Sequence, residues 1–394
     1  VRLGVSTLAI HTPGGIGRYA RILAASLLLH FDGELHLFVQ REGDLEIVLQ
    51  EMPDSAPSHF RPEVKLHISP VPSLPRHLQH QWLIPRAFNG LGLDAYLDPD
   101  YILPLLENTP CTCVVHDTTP YSSFQMLGAK ARLIYGLSAR PSLNRAQRIV
   151  CVSEHTRAKL AQLFPRHSVK MRTVTSCLSP RFEAASRKSY RRLDAVSVQT
   201  EYGPVAIPQP FILHVGVPGP RKNIPVLLEA FKELKLRMFP HRLVLVGGKA
   251  QWFGVNNAAA PVPQAALSAG MTSCGTDVLP EVLPVGRVSD DDLISLYRHA
   301  DLLVLPSLEE GFGYPVLEAL AFRTPALAGS ASPLAKLPGV ATIPNPASAA
   351  SVAEAMEDAL RGLPELAAQM AENFHPAEFS CERYVQELLA AIAG

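Results

Sequence analysis

The feature that most limits how this chain can fold is a rhythm, run through twice, of short apolar segments alternating with helix-length amphipathic ones. In the first half the apolar segments are Leu3–Val5, Leu35–Val39, Val64–Ile68, Ala95–Leu97, Thr112–His116, Ile149–Val152 and Arg172–Thr175. Helix periodicity fits Ile16–His30, His77–Asn89, Leu127–Asn144 and Glu154–Leu163, the last with Ser153 as N-cap. Short apolar strands alternating with helix-length segments predict βαβ units around a buried parallel sheet.

The rhythm lapses over residues 184–210, which end in three prolines and read as an interdomain linker. It resumes with a strand at Phe211–Val215, a helix at Ile224–Leu236, strands at Leu243–Val246 and near Leu283, a helix Asp290–His299 capped by Ser289, and a strand Leu302–Leu305. A further helix starts at Pro315, and the last is Glu382–Ala393. Residues 251–280, polar and rich in Ala and Pro, read as a loop region. At 394 residues the chain is long enough for two cores. Two α/β halves of the Rossmann kind are expected, with chemistry at the carboxyl ends of their strands.

No apolar run reaches the roughly 18–20 residues of a spanning helix. The opening VRLGV reads as a strand rather than a leader, so a cytoplasmic location is expected. Cys111, Cys113, Cys151, Cys177, Cys274 and Cys381 are scattered, without ligand spacing, and read as buried thiols. Net charge is zero, yet Lys130–Arg192 carries fifteen lysines and arginines against Glu154 and Glu183. Such a segment suits an anionic partner, such as a membrane surface or a lipid phosphate. No nucleic acid partner is expected.

The densest chemical signal is the run Pro306–Ala321, PSLEEGFGYPVLEALA. Gly311 and Gly313 let backbone approach a ligand, and the helix that follows turns unpaired N–H groups toward an anion. Glu310 and Glu318 stand eight apart. Ionised carboxylates are pure acceptors, suited to the hydroxyls of a sugar and a ribose. The segment His214–Asn223 puts Arg221 and Lys222 between a strand and a helix, where two cations can neutralise a pyrophosphate. Gly14, Gly15 and Gly17 follow the first strand, and His116 with Asp117 ends another.

Together these segments resemble the family 4 retaining glycosyltransferases, which have the GT-B fold. Glu310 and Glu318 match that family's E-x7-E pair, and His214–Asn223 is similar to its G-x4-R-K-N block. The segments at 152–157, 246–249 and 286–293 match further blocks in the expected order. The resemblance implies that Glu310 contacts the donor sugar and Glu318 the nucleotide ribose. The amides of Gly311, Phe312, Gly313 and Tyr314 would reach sugar and diphosphate, which Arg221 and Lys222 bind. It likewise implies that Gly14, Gly15 and Gly17 lie against donor phosphates and acceptor, and that His116 lies near the sugar's C6 hydroxyl. The expected organisation is then an acceptor domain at 1–190 joined by the C-terminal helix of 376–394, a linker at 191–208 and a donor domain at 209–375. Residues 328–336 lack the acidic pattern common after the signature helix, and 175–182 lack the usual asparagine–glycine turn.

The implied reaction is a front-face transfer, without a metal or resident cofactor, of a hexose from a nucleoside diphosphate sugar to a glycan or lipid-linked acceptor. Mannose from a GDP-sugar is the first expectation and a UDP-sugar the second. A metal-dependent transferase would need Asp98-Pro-Asp100 or Asp290–Asp292 as ligands, but the latter suits a helix's first turn. An NAD-dependent oxidoreductase would need an acidic residue near Val39, which is missing. A non-catalytic nucleotide-sugar-binding scaffold is the other alternative.

Overall fold

The computed structural model describes residues 1–12, 14–57, 59–69, 76–88, 90–106, 108–122, 129–200, 203–248 and 279–393. The chain forms two compact units, Val1–Ala185 with Pro376–Gly394, and Ser186–His375.

The first unit is built on seven strands: β1 (Arg2–Ser6), β2 (Glu34–Val39), β3 (Glu63–Ile68), β4 (Ala95–Asp98), β5 (Cys111–Val115), β6 (Arg148–Cys151) and β7 (Met171–Thr173). They lie in the order β3-β2-β1-β4-β5-β6-β7, every neighbouring pair parallel. Their buried side chains, among them Phe38, Tyr96, Cys113 and Ile149, make one core with Leu143 and Leu160 of the flanking helices. The C-terminal helix Cys381–Ala393 packs here: Tyr384 donates its hydroxyl hydrogen to Tyr19 Oη at 2.6 Å, and Cys381 N–H bonds Glu183 Oε2 at 3.0 Å.

The second unit opens with an antiparallel hairpin, β8 (Ala195–Thr200) and β9 (Gly203–Pro208). Its parallel sheet has β10 (Phe211–Val215), β11 (Arg242–Val246), β12 (Val282–Gly286), β13 (Leu302–Leu305), β14 (Ala326–Gly329) and β15 (Val340–Ile343), in the order β12-β11-β10-β13-β14-β15. Relative to its own first strand, the second sheet runs 3-2-1-4-5-6, and the first runs the same way with a seventh strand added at the end. The order reverses between β1 and β4 in one and between β10 and β13 in the other. Those are the positions where neighbouring loops diverge and leave a crevice at the carboxyl ends.

Two expectations change. Residues 191–208, expected as a linker, contain the hairpin and belong to the second unit. Val196, Val198 and Ile207 are buried, and Gln199 N–H bonds Asp292 Oδ2 at 3.2 Å. Two-residue periodicity over only six residues is easily lost among prolines. The helix expected over His77–Asn89 is instead Arg76–Leu78, a π-turn Gln79–Leu83 and Ile84–Phe88. There Ile84 N–H reaches back to Gln79 O, immediately before Pro85, which has no N–H to continue an α ladder. The loop expected over 251–280 lies outside the described residues except at 279–280.

Candidate functional site

In the second unit the loops after β10 and β13 carry most of the residues singled out above. After β10 the chain makes a 3-10 turn over Pro220–Lys222 and passes through Asn223, left-handed at φ 56°, into the helix Ile224–Leu236. The side chain of Asn223 bonds the carbonyl of Pro346, and Leu308 N–H bonds Arg221 O at 2.8 Å. The basic turn is thus fastened to the loop that follows β13. Gly216 lies beside it: a Cβ there would be in ordinary contact, 3.4 Å from Lys222 Cε.

That second loop holds Glu310, which is buried and forms an ion pair with Lys222. Ser307 Oγ donates to the same carboxylate oxygen at 2.7 Å. Burial pushes the Glu310 carboxyl up, but the charge of Lys222, hydrogen bonds from Lys222 and Ser307, and the more distant Arg221 outweigh it. The net effect is to hold the carboxyl below its usual range. The site therefore keeps an ionised carboxylate and an ammonium group together where two strands diverge.

Gly313, at φ 103°, is the turn into the helix Tyr314–Ala321, and only glycine takes that conformation without strain. The helix begins with Tyr314 and Pro315, so its first N–H groups face the loop side. Phe312 and Tyr314 are buried with their rings 5.1 Å apart, edge to face, which fixes the loop between the two glycines. Glu318, one turn into the helix, is buried and accepts a hydrogen bond from Tyr297 Oη at 2.7 Å.

Two supports were not anticipated. Tyr297, from the helix Asp290–His299, orients Glu318. His214, at the end of β10, is completely buried and shares a hydrogen bond between Nδ1 and Val304 O at 2.9 Å. Burial lowers its pKa to about 4, helped by Lys222 and opposed by the Val304 bond and Glu310. Its place directly before the G-x4-R-K-N block was the available sequence signal.

The remaining expected residues belong to the first unit. Gly14 (φ 85°) and Gly15 are exposed at the start of the helix Gly15–His30. Gly17 is buried so tightly that a Cβ would lie 2.0 Å from Thr12 O. His116 follows β5 and is buried. Its Nε2 lies 2.7 Å from Pro99 O and its ring packs edge-on against Tyr19 at 4.8 Å. Asp98 and Asp100 serve the local backbone. Asp98 accepts from Asp100 N–H at 2.8 Å and faces His80, and Asp100 accepts from Tyr101 N–H. Ser289 caps the helix that begins with Asp290–Asp292.

The basic stretch 130–192 is used in several ways. Arg145 bonds Thr109 O, and Lys170 bonds the carbonyls of Asn144 and Ala146. Arg132, Arg140 and Arg166 are exposed. No helix among the described residues is long and apolar enough to cross a membrane.

Residues 204–375 match the model of the family described as glycosyl transferases group 1. Among curated proteins the chain is similar to the serotype-specific mannosyltransferase WbdA of Escherichia coli. The two are 26% identical over 217 residues, which is 54% of this chain and 25% of that protein. It is also similar to the O-antigen chain mannosyltransferase B of the same organism, 26% identical over 246 residues, 62% of this chain and 59% of the relative. The chain thus spans a quarter to somewhat over half of the length of these relatives. Among solved structures, WaaG, a glycosyltransferase involved in lipopolysaccharide biosynthesis, matches over 100% of both chains with a TM-score of 0.61 at 18% identity. At that identity the likeness is one of fold, two Rossmann-like units of the GT-B class.

Proposed function

We propose, from the match of residues 204–375 to the glycosyl transferases group 1 family, that this chain is a retaining hexosyltransferase. It takes its sugar from a nucleoside diphosphate donor without a metal ion. The observation that carries the reading is the Lys222–Glu310 pair beside the glycine-framed start of helix Tyr314–Ala321. In this reading Lys222 and Arg221 face the diphosphate, Glu310 and the amides of Gly311–Tyr314 the sugar, and Glu318 the ribose. The bond from the anomeric carbon to the diphosphate oxygen breaks. A bond to the acceptor hydroxyl forms on the same face, and the departing phosphate takes the hydroxyl proton. The protein supplies fixed charge where negative charge builds, which acts strongly in a water-poor site. Mannose is the favoured sugar, GDP the favoured nucleotide ahead of UDP, and a glycan or lipid-linked sugar the acceptor. The mannosyltransferase names among the relatives support this choice.

A thermal-shift panel with GDP, UDP, ADP and NAD, each with and without EDTA, tests the reading. A ligand at 100 times its dissociation constant stabilises by roughly 2.7 kcal/mol. One diphosphate should raise the melting temperature regardless of EDTA, and Glu318→Ala should diminish that rise. A response to NAD alone, or only with added metal, overturns the proposal. We further place the enzyme in the cytoplasm, touching the inner membrane face through exposed Arg132, Arg140 and Arg166 of the first unit. Sedimentation with anionic vesicles should then occur at low salt and fade as salt rises, and its absence at low salt removes that contact.

A further inference from the structure

The second unit has a cavity of about 560 Å³ away from the crevice just described. It lies where β13 and β14 begin, against Asp301 and Pro325, whereas Glu310 and Lys222 belong to loops at the far ends of the strands. A four-residue strand separates those ends by roughly 13 Å.

Its lining is strongly one-signed. Arg187, Lys188, Arg192, Arg298 and Arg323 face it together with a single carboxylate, Asp301. Arg192 spans Asp301 and the carbonyl of His299, so the one acid is already engaged. Arg298 is held in place from two sides, its guanidinium 5.0 Å from the Tyr190 ring centre and 5.4 Å from that of Phe322. The Tyr190 hydroxyl donates to Phe322 O at 3.0 Å, which pins the 186–192 segment over the cavity. Burial raises the pKa of that hydroxyl, and the charges of Arg192, Arg298 and Arg323 oppose the rise. Arg323 is itself held at φ 64°, an uncommon conformation for a side chain of its size, and lines the same cavity. The floor is apolar, formed by Ala321, Phe322, Leu363 and Ala367.

A guanidinium offers the paired donors that phosphate oxygens accept, and several line this one cavity. The cavity's size lies within the range of small-molecule sites, roughly 300–1,000 Å³. A flat lipid surface does not require a concave apolar floor, whereas the organic body of a soluble ligand does. We propose that this cavity binds a small phosphorylated metabolite, with its phosphate among Arg187, Arg298 and Arg323 and its organic part on the Phe322 floor.

Calorimetric titration of the full chain with glucose 6-phosphate, at about 50 mM salt, tests this. Binding should saturate at one site, weaken with salt and be absent for glucose. The double variant Arg187→Gln/Arg323→Asn changes two exposed side chains and keeps a residue tolerant of the left-handed conformation. It should lose roughly tenfold or more in affinity, the scale of one charge-assisted hydrogen bond, with an unchanged melting temperature. Lys222→Ala should bind glucose 6-phosphate like the unaltered chain, which separates this cavity from the crevice after β10. The proposal falls if the titration is flat at millimolar ligand, or if the double variant binds normally. It also falls if Lys222→Ala abolishes binding while its melting curve shows the chain still folded. A fourth overturning result is that phosphatidic acid vesicles pellet the protein through Arg187 and Arg323 while glucose 6-phosphate gives no heat.

Discussion

The two units have the same strand order around the reversal point, yet the loops at the carboxyl ends of their strands are furnished differently. After β10 and β13 the second unit gathers charge: Lys222 on Glu310, Arg221 nearby, Glu318 on Tyr297. After β1 and β5 the first unit gathers shape: exposed Gly14 and Gly15, the close-packed Gly17, and His116 against Tyr19. The shared topology supplies a crevice in each, and only the loop residues decide what chemistry it can support. A charged crevice suits a phosphate-bearing donor, and one framed by glycines and rings suits a partner recognised by fit.

The comparison breaks most easily at Lys222. If charge belongs to the second unit alone, Lys222→Ala should reduce kcat by about 10²–10³, the scale for losing one electrostatic stabiliser of a developing anion. His116→Ala should cost about tenfold or less, as for a single neutral hydrogen bond. Removing Lys222 also leaves Glu310 buried without its cation, which destabilises the fold on its own. The double variant Lys222→Ala/Glu310→Gln therefore belongs in the series, with melting recorded beside turnover. Equal losses at Lys222 and His116 would erase the distinction between the units.

A second test uses His214, the histidine beneath the charged crevice. Its folded pKa is about 4 because burial disfavours the charged ring, against an ordinary value of 6.5. Below pH 6.5 the unfolded chain takes up a proton that the folded one refuses until about pH 4. Its contribution is therefore full above 6.5 and is lost as pH falls from 6.5 toward 4. The difference is on the order of 3 kcal/mol. In urea unfolding, the stability gap between the unaltered chain and His214→Gln should narrow or reverse by about that amount between pH 7 and pH 4.5. A gap that stays constant with pH would mean that the ring is not buried neutral.

Much of this arrangement was readable from the chain itself, and the parts that were not share a physical cause. Strands such as Leu302–Leu305 and helices such as Ile224–Leu236 announce themselves by local periodicity. Glu310, Glu318, Arg221 and Lys222 stood out because glycines, prolines and charges cluster within a few positions of them. The direct pairing of Lys222 with Glu310 joins residues 88 apart, and Tyr297 reaches Glu318 across 21. No local pattern encodes such partners; they follow from two strands becoming neighbours in the sheet. The cavity edged by Arg187, Arg298 and Arg323 was equally hidden, because its cations come from three separate segments. The hairpin Ala195–Pro208 escaped because its buried residues are few and are interrupted by turn-formers.

The smallest effect asks whether the difference between units extends beyond their crevices to ordinary local structure. Each unit has a helix opened by serine. Ser153 Oγ accepts from Thr156 N–H at 3.1 Å, and Ser289 Oγ accepts from Asp292 N–H at the same distance. The motifs match, but the surroundings do not. Ser153 is buried and also donates to Thr156 Oγ1 at 3.0 Å, whereas Ser289 sits at a more exposed start and donates to Asp292 Oδ2 at 2.8 Å. Water can replace the lost bond at Ser289 and cannot easily do so at Ser153. Alanine at a cap costs about 0.5–2 kcal/mol, so Ser153→Ala should fall near the upper end and Ser289→Ala near the lower in urea unfolding. Three acidic residues in the first turn after Ser289 add favourable interaction with the helix dipole, which cushions that loss further. If the ranking inverts, burial is not what separates the two caps. The contrast between the units would then have to be sought in their loops alone.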